Sequence, residues 1–297
     1  MARLSICGAS PEAWFQSQDS DQAREIQAMV EAWNNPSTDR FAFQSSGTTG
    51  KRKTLWFSRT QIIASAQRTH RWLGMRPGNR WLLALPLHYV AGRMIVYRCL
   101  AEGMDLWPLE PSLDPWQEAL EADAVSLTPS MMLHMLKQVG GEKRFKHIQQ
   151  VLLGGEPMPQ SLQTMITGWK KPTVWHTYGM TETLTQVAAR RLCPNPDLEF
   201  KRVDDSLEFG VSESGTLSVT DHLLKLYHLE TKDAVALSGP EAFVWKGRID
   251  QVINSGGIKW YPEDWKTELV HPWLEGKHWQ VVGQNDPSFG EVPVLLV

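Results

Sequence analysis

The stretch AVSLTPSMMLHMLKQVGGEKRFKHIQQVLLGGEPMPQSLQTMITGWKKPTVWHTYG, residues 124–179, decides the fold class. Within it, AVSLT (124–128), VLLGG (151–155) and TVWHTYG (173–179) are short apolar runs, and the segments after Pro129 and Pro159 carry helical patterns. Strand-sized runs alternating with helices predict an α/β layered domain with a largely parallel sheet. Upstream, the alternation begins at WLLAL (81–85), with a helix near 91–103. Residues 19–34 place apolar positions at helical spacing behind Asp19 as a cap, and a helix is expected from about Ser58 to Leu73. Between them, Phe41–Gln44 and Thr54–Phe57 read as short strands flanking a Ser/Gly/Thr-rich loop. Downstream, residues 197–247 turn to short strands and turns, and the last segment reads as a small strand-plus-helix unit. We expect a large α/β domain over 1–249 and a small α+β C-terminal domain over 250–297, parted at the charged turn near Asp250.

Composition narrows the function classes. Of 297 residues, 42% are hydrophobic and 21% charged, so a disordered, collagen-like or coiled-coil chain is excluded. The net charge of -3 offers no broad basic field for a phosphate backbone, which argues against nucleic acid as a partner. Cys7, Cys99 and Cys193 are too few and too scattered for a disulfide framework or a four-ligand zinc site, and a reducing cytoplasm fits them. No run reaches the roughly 18 consecutive apolar residues of a membrane span. The 14 tryptophans follow no period and read as core and groove material. Oligomeric state leaves no signal in the sequence.

Ser45-Ser46-Gly47-Thr48-Thr49-Gly50-Lys51 directly follows a strand. Small residues let backbone N–H groups turn toward an anion, hydroxyls add donors and the lysine supplies charge, a composition suited to phosphate. It is not a Walker A loop, because only two residues separate Gly47 from Gly50 and Arg52 follows Lys51. Further along stand Leu153-Gly154-Gly155-Glu156-Pro157, Thr177-Tyr178-Gly179-Met180-Thr181-Glu182-Thr183, Thr231-Lys232-Asp233, Gly247-Arg248-Ile249-Asp250 and Ser255-Gly256-Gly257.

In order and spacing these segments resemble the core motifs of the acyl-adenylate-forming (AMP-binding) superfamily, over residues 43–271. The resemblance implies an ATP-dependent ligase in which an acid attacks the ATP α-phosphorus, pyrophosphate leaves, and CoA thiol displaces AMP. It implies ATP, Mg²⁺ and CoA as cofactors and co-substrates, and small molecules as partners. Ser46, Gly47, Thr48, Thr49, Gly50 and Lys51 match its phosphate loop. Gly154, Gly155, Glu156 and Pro157 match the adenine-side loop, and Thr177, Tyr178, Gly179 and Met180 the segment beneath adenine. Thr181 matches the α-phosphate contact and Glu182 the Mg²⁺ ligand, so Thr181, Glu182 and Lys51 are the catalytic candidates. Asp233 and Arg248 match the ribose contacts, with Lys232 replacing a usual glycine. Asp250 matches the hinge, and Gly256 and Gly257 the glycines beside the pantetheine arm of CoA.

Among subfamilies, YGMTETLTQ (178–186) and LHYVAGRMIVYR (87–98) are similar to stretches of o-succinylbenzoate-CoA ligase of menaquinone biosynthesis. Such an acid needs an apolar slot for its ring and a cation for the carboxylate that does not react. Arg98 is the expected cation, with Thr185 and Gln186 as polar neighbours and His88 or Tyr89 at the aromatic side. The other readings are a surface arginine on the helix, a ligase for another aryl or short-chain acid, and a weakened acyl-adenylate-binding protein. The resemblance also implies that about a hundred N-terminal residues of the usual large domain are absent. It finds no match for the family's adenylation lysine, since Gly276-Lys277 falls too soon after His271-Pro272, and we expect a chain cut short or a weakened first half-reaction. Lys143, Arg144 and Lys146 read as a solvated helix end.

Overall fold

The computed structural model describes residues 3–45, 53–262, 265, 269, 271–274, 277 and 279–297. The chain forms two compact units. The first comprises 1–197, 202–206 and 222–225; the second comprises 198–201, 207–221 and 226–297.

In chain order the first unit holds β1 (Ser5–Ile6), α1 (Pro11–Gln16), α2 (Asp21–Asn34), β2 (Arg40–Gln44), β3 (Thr54–Ser58), α3 (Arg59–Leu73), β4 (Arg80–Leu83), α4 (Val90–Glu102) and β5 (Asp105–Pro108). It continues with β6 (Ala122–Leu127), α5 (Pro129–Lys137), β7 (Ile148–Leu153), α6 (Gln160–Ile166), β8 (Thr173–Gly179) and β9 (Gln186–Cys193). Its main sheet runs β1-β5-β4-β6-β7-β8-β9. All neighbours are parallel except β8 and β9, which pair antiparallel. The expected α/β class with a largely parallel sheet is what the chain adopts. From β4 the chain first moves outward to β5 and then crosses to β6 on the other side. Such a reversal opens a crevice beyond the carboxyl ends of the strands, which is where open α/β sheets bind ligands.

Local chemistry sets the helix ends. Ser58 and Gln61 form a reciprocal cap on α3, with Ser58 N–H donating to Gln61 Oε1 at 2.9 Å and Gln61 N–H to Ser58 Oγ at 3.3 Å. Gly74, at φ +69°, ends that helix in the left-handed conformation that costs glycine little. Thr128 caps α5, with Pro129 in its first turn. For α2 the expected Asp19 cap is corrected: Ser20 accepts from Ala23 N–H at 3.1 Å, while Asp19 pairs with Arg24. The serine stands next to the first helical residue, where a short hydroxyl reaches the free N–H groups.

Leu82, Val125, Leu127, Val151, Leu153 and Val174 from the strands pack with Met132, Met135, Leu162 and Ile166 from α5 and α6 in one buried core. Arg144 is no part of a solvated end: it is 7% exposed and pairs with Asp114 and the Trp116 carbonyl. The tryptophans divide, Trp81 and Trp116 being buried while Trp56 and Trp273 are more than half exposed.

In the second unit, β10 (Phe200–Arg202), β11 (Leu207–Val211), β12 (Thr216–Asp221), β13 (Leu226–Leu237) and β14 (Ala242–Arg248) follow the antiparallel order β10-β14-β13-β12-β11. Buried Phe243 stacks on Phe200 and meets Phe209 edge-on. The remaining strands, β15 (Ile253–Ser255), β16 (Ile258–Trp260), β17 (Gln280–Asp286) and β18 (Gly290–Leu296), form a second sheet ordered β16-β15-β18-β17. Asp250 lies inside this unit, in the 3-10 turn Ile249–Gln251.

Candidate active site

The loop candidates of the first unit stand where its strands end. Ser45 and Lys53 close the β2–β3 hairpin, with Ser45 N–H donating to the Lys53 carbonyl at 2.9 Å. Ser46, Gly47, Thr48, Thr49, Gly50 and Lys51 lie outside the described residues. The Gly154–Pro157 loop leaves β7, and the Thr177–Met180 segment ends the adjacent β8. The two meet closely: a Cβ on Gly154 would sit 2.6 Å from Thr177 Oγ1, which itself donates to the Leu153 carbonyl at 3.0 Å. Gly155 has φ +81° and is exposed.

Glu156 is held from a neighbouring strand end. Its Oε2 accepts from Ser130 N–H at 3.1 Å and from the Ser130 hydroxyl, at the N-terminus of α5. A carboxylate there satisfies free N–H groups and meets the positive end of the helix. Nearby His176 accepts from Arg190 Nε at Nδ1, 3.3 Å away, and burial foremost, then the Arg190 charge, lowers it to about 3. The imidazole is therefore neutral.

After Gly179 the chain folds back on itself. Thr181–Thr183 makes one 3-10 turn, and Thr185 N–H bonds the Thr183 carbonyl at 2.6 Å across buried Leu184, whose φ is +60°. A bulky residue in that region is strained and marks a segment held by its surroundings. Gly179 permits the return, because a Cβ there would lie 2.4 Å from the Thr185 carbonyl oxygen. Thr181 is 8% exposed, while Glu182 is half-buried and makes no hydrogen bond or ion pair among the described residues. A carboxylate left without a counter-charge suits Mg²⁺, a hard cation commonly held by one or two carboxylates plus phosphate oxygens. No cluster of three or more candidate metal ligands occurs among the described residues.

Arg98 lies on α4, which follows β4, and it is 4% exposed, so it is not a surface arginine. Its Nη2 donates to Gln186 Oε1 at 3.0 Å and to Thr185 Oγ1. Gln186 Nε2 in turn donates to Thr69 Oγ1 on α3 at 3.1 Å. Every one of these partners is neutral. Burial, followed by the nearby Arg68 charge and against the opposing effect of Cys99, lowers the guanidinium to about 9. His88 and Tyr89 stand exposed at the start of α4 with ring centroids 4.1 Å apart. Neither is brought to Arg98, about two and a half helical turns below. Arg93 points elsewhere, 3.6 Å from Glu25.

In the second unit, Asp233 on β13 stands opposite Arg248 on β14. Asp233 accepts from Trp245 Nε1 at 3.0 Å, and Arg248 binds Asp250 through Nε at 2.9 Å and Nη2 at 2.8 Å. Arg248 foremost keeps the Asp250 carboxyl below its usual range. Lys232 Nζ is 3.7 Å from the same carboxylate. Gly256 and Gly257, at φ +57° and +84°, make the turn between β15 and β16. Lys277 lies over the Trp273 ring at 3.9 Å. Sequence reasoning missed Thr69, Ser130, His70 and Trp81, none of which sits in a motif.

The first unit is thus an α/β domain with its polar loops gathered at the carboxyl ends of a mainly parallel sheet, the arrangement of a small-molecule-binding enzyme domain. Residues 5–210 match the model of the AMP-binding enzyme family, and the chain belongs to that family. Among curated relatives, the chain is 28% identical over 289 residues to a 2-succinylbenzoate–CoA ligase of Bacillus cytotoxicus, covering 85% of this chain and 58% of the relative. A ligase of the same name from Listeria monocytogenes is 26% identical, with 91% and 61% covered. The chain therefore spans less than two thirds of these relatives' length. A solved acyl-CoA synthetase (AMP-forming)/AMP-acid ligase II-like protein from Dyadobacter fermentans superposes with a TM-score of 0.71 at 28% identity, covering 95% of this chain and 82% of the other. The O-succinylbenzoate coenzyme A synthetase of Bacillus subtilis, solved with ATP and magnesium ion, shares the fold with a TM-score of 0.66 at 23% identity, covering 85% and 58%. Among the described residues no helix is long and apolar enough to cross a membrane.

Proposed function

We propose that this chain is an AMP-forming acid–thiol ligase that activates o-succinylbenzoate with ATP and passes the acyl group to CoA, a step of menaquinone biosynthesis in the cytoplasm. The observation that carries the reading is Arg98, a buried cation whose hydrogen-bond partners are all neutral. Burying a charge without a counter-charge is costly, so a ligand carboxylate gives the site its compensation. The strand-end loops supply the other half: Thr181 toward the α-phosphate, Glu182 toward Mg²⁺, and the glycine-lined 154–157 loop toward a flat base. Mg²⁺ would neutralise charge on the phosphates. The protein's own contribution is positioning in a site shielded from water. Asp233 and Arg248 are proposed as ribose contacts, Asp250 as the hinge opening a domain over 250–297, and Gly256 and Gly257 as the CoA side. The curated relatives' shared name supports the choice of acid.

The test is calorimetric titration with stable acyl-sulfamoyl adenosines of o-succinylbenzoate and of benzoate. Much tighter binding of the first is expected, and Arg98→Ala should remove that advantage. Equal affinities would redirect the ligase to another acid, and no binding of either would overturn the adenylate site. Binding of both without ATP-dependent CoA-ester formation would leave an acyl-adenylate-binding protein, the second reading.

A further inference from the structure

We infer that His70 and Trp81, on the far side of Arg98, complete the pocket for the acid's remote carboxylate and select for acids that carry one; this rests on the reading of Arg98 given above. Trp81 lies beside Arg98, and His70 lies beside Trp81. The Arg98 guanidinium carbon is 5.3 Å from the Trp81 ring centroid, and the His70 ring is 5.7 Å from it. Trp81 is 0% exposed and His70 3%. Among the described residues, Arg98 Nε, Trp81 Nε1 and both His70 ring nitrogens have no hydrogen-bond partner. Thr185 and Gln186 engage only Nη2 of Arg98, which leaves its buried Nε without an acceptor among the described residues.

Buried polar atoms nearly always find partners, and a core shaped for stability alone would not gather four bare ones around an indole. A carboxylate is acceptor-only and can take several donors at once. Arg98 Nε–H, Trp81 Nε1–H and one His70 N–H supply them. Burial foremost and Arg98 next lower His70 to about 3, so it enters as a neutral donor while Arg98 provides the charge. Arg98 is eight residues into α4, about 12 Å along the axis from its start. The matching substrates are therefore extended acids with an anionic group well separated from the reacting carboxylate. A site built to hydrogen-bond such a group rejects an analogue that leaves its donors bare.

The experiment titrates the full chain with two stable acyl-sulfamoyl adenosines that differ only at the acyl terminus, a carboxylate or its methyl ester. The wild-type chain should prefer the carboxylate. His70→Leu and Trp81→Phe should each cut that preference at least tenfold, and His70→Asn, which keeps a donor, should retain more of it than His70→Leu. His70→Leu should also raise the Tm of the unliganded chain, since it removes two bare buried nitrogens. An unchanged preference in both variants would overturn the inference. So would a lower Tm with equal weakening of both ligands, because the ring would then serve packing alone. Absence of preference in the wild-type chain would instead sink the Arg98 reading, and this inference with it.

Discussion

Arg98 on α4 and Gln186, the first residue of β9, are joined at 3.0 Å, so the cation proposed to meet the substrate is held by the strand that follows the Thr177–Thr183 segment. On the proposed reading, the acid end and the nucleotide end share one short segment, residues 178–186. Gln186→Glu would supply Arg98 with an internal counter-anion. We expect weaker binding of the carboxylate-tipped adenylate analogue by about 2 kcal/mol, roughly thirtyfold, with the ester analogue little changed. Calorimetry on the two ligands reads the difference, and equal losses would count against the pairing.

Glu182 has no partner among the described residues that its removal would strand. Glu182→Gln should leave thermal stability within about 0.5 kcal/mol of wild type. ATP-dependent pyrophosphate release should fall about a hundredfold. Unchanged release across a Mg²⁺ titration would refute the metal role.

His70 and His176 are both buried and lowered to about 3 from an ordinary value of 6.5, foremost by burial. Unfolding frees each ring to take up a proton between those values, so the unfolded chain binds more protons and stability falls as pH drops through that window. Each contributes a slope of about 1.4 kcal/mol per pH unit. Denaturant titrations between pH 4.5 and pH 7, values chosen to lie roughly within and above the window, should show this loss, and His70→Leu should make it shallower. An identical slope in the variant would place His70 outside the effect.

Gly179→Ala would drive a methyl to 2.4 Å from the Thr185 carbonyl oxygen and 2.7 Å from Gln186 Cα, backbone atoms that yield little. A destabilisation of about 1 to 3 kcal/mol is expected. Because the displaced backbone carries Thr185 and Gln186, affinity for both adenylate analogues should drop as well. Wild-type affinity with wild-type stability would show that the return of the chain over Gly179 is not needed.

Much of the first unit was legible because its signals are local. TVWHTYG reads as a strand over 173–179 and β8 occupies those positions, while Ser58 and Gln61 announce the start of α3 by their spacing. β5 was not legible: its four residues, DLWP, open with a charge and close with proline, and only pairing with β1 and β4 makes them a strand. The same holds for Arg144, whose burial depends on Asp114 thirty positions away, a contact that no local pattern encodes.

By itself the sequence determined the α/β class and the order of the motifs, because strand and helix periods and glycine-rich turns are written in consecutive residues. It also supplied Arg98, Thr185 and Gln186 as candidates. Only the tertiary structure decided that Arg98 is buried, that Thr69 holds Gln186, that Ser130 anchors Glu156, and that Trp81 lies beside the guanidinium with His70 next to its ring. Those relationships join residues on separate helices and strands. They come from how the elements pack, since burial and hydrogen-bond satisfaction are properties of neighbours in space rather than neighbours in the chain.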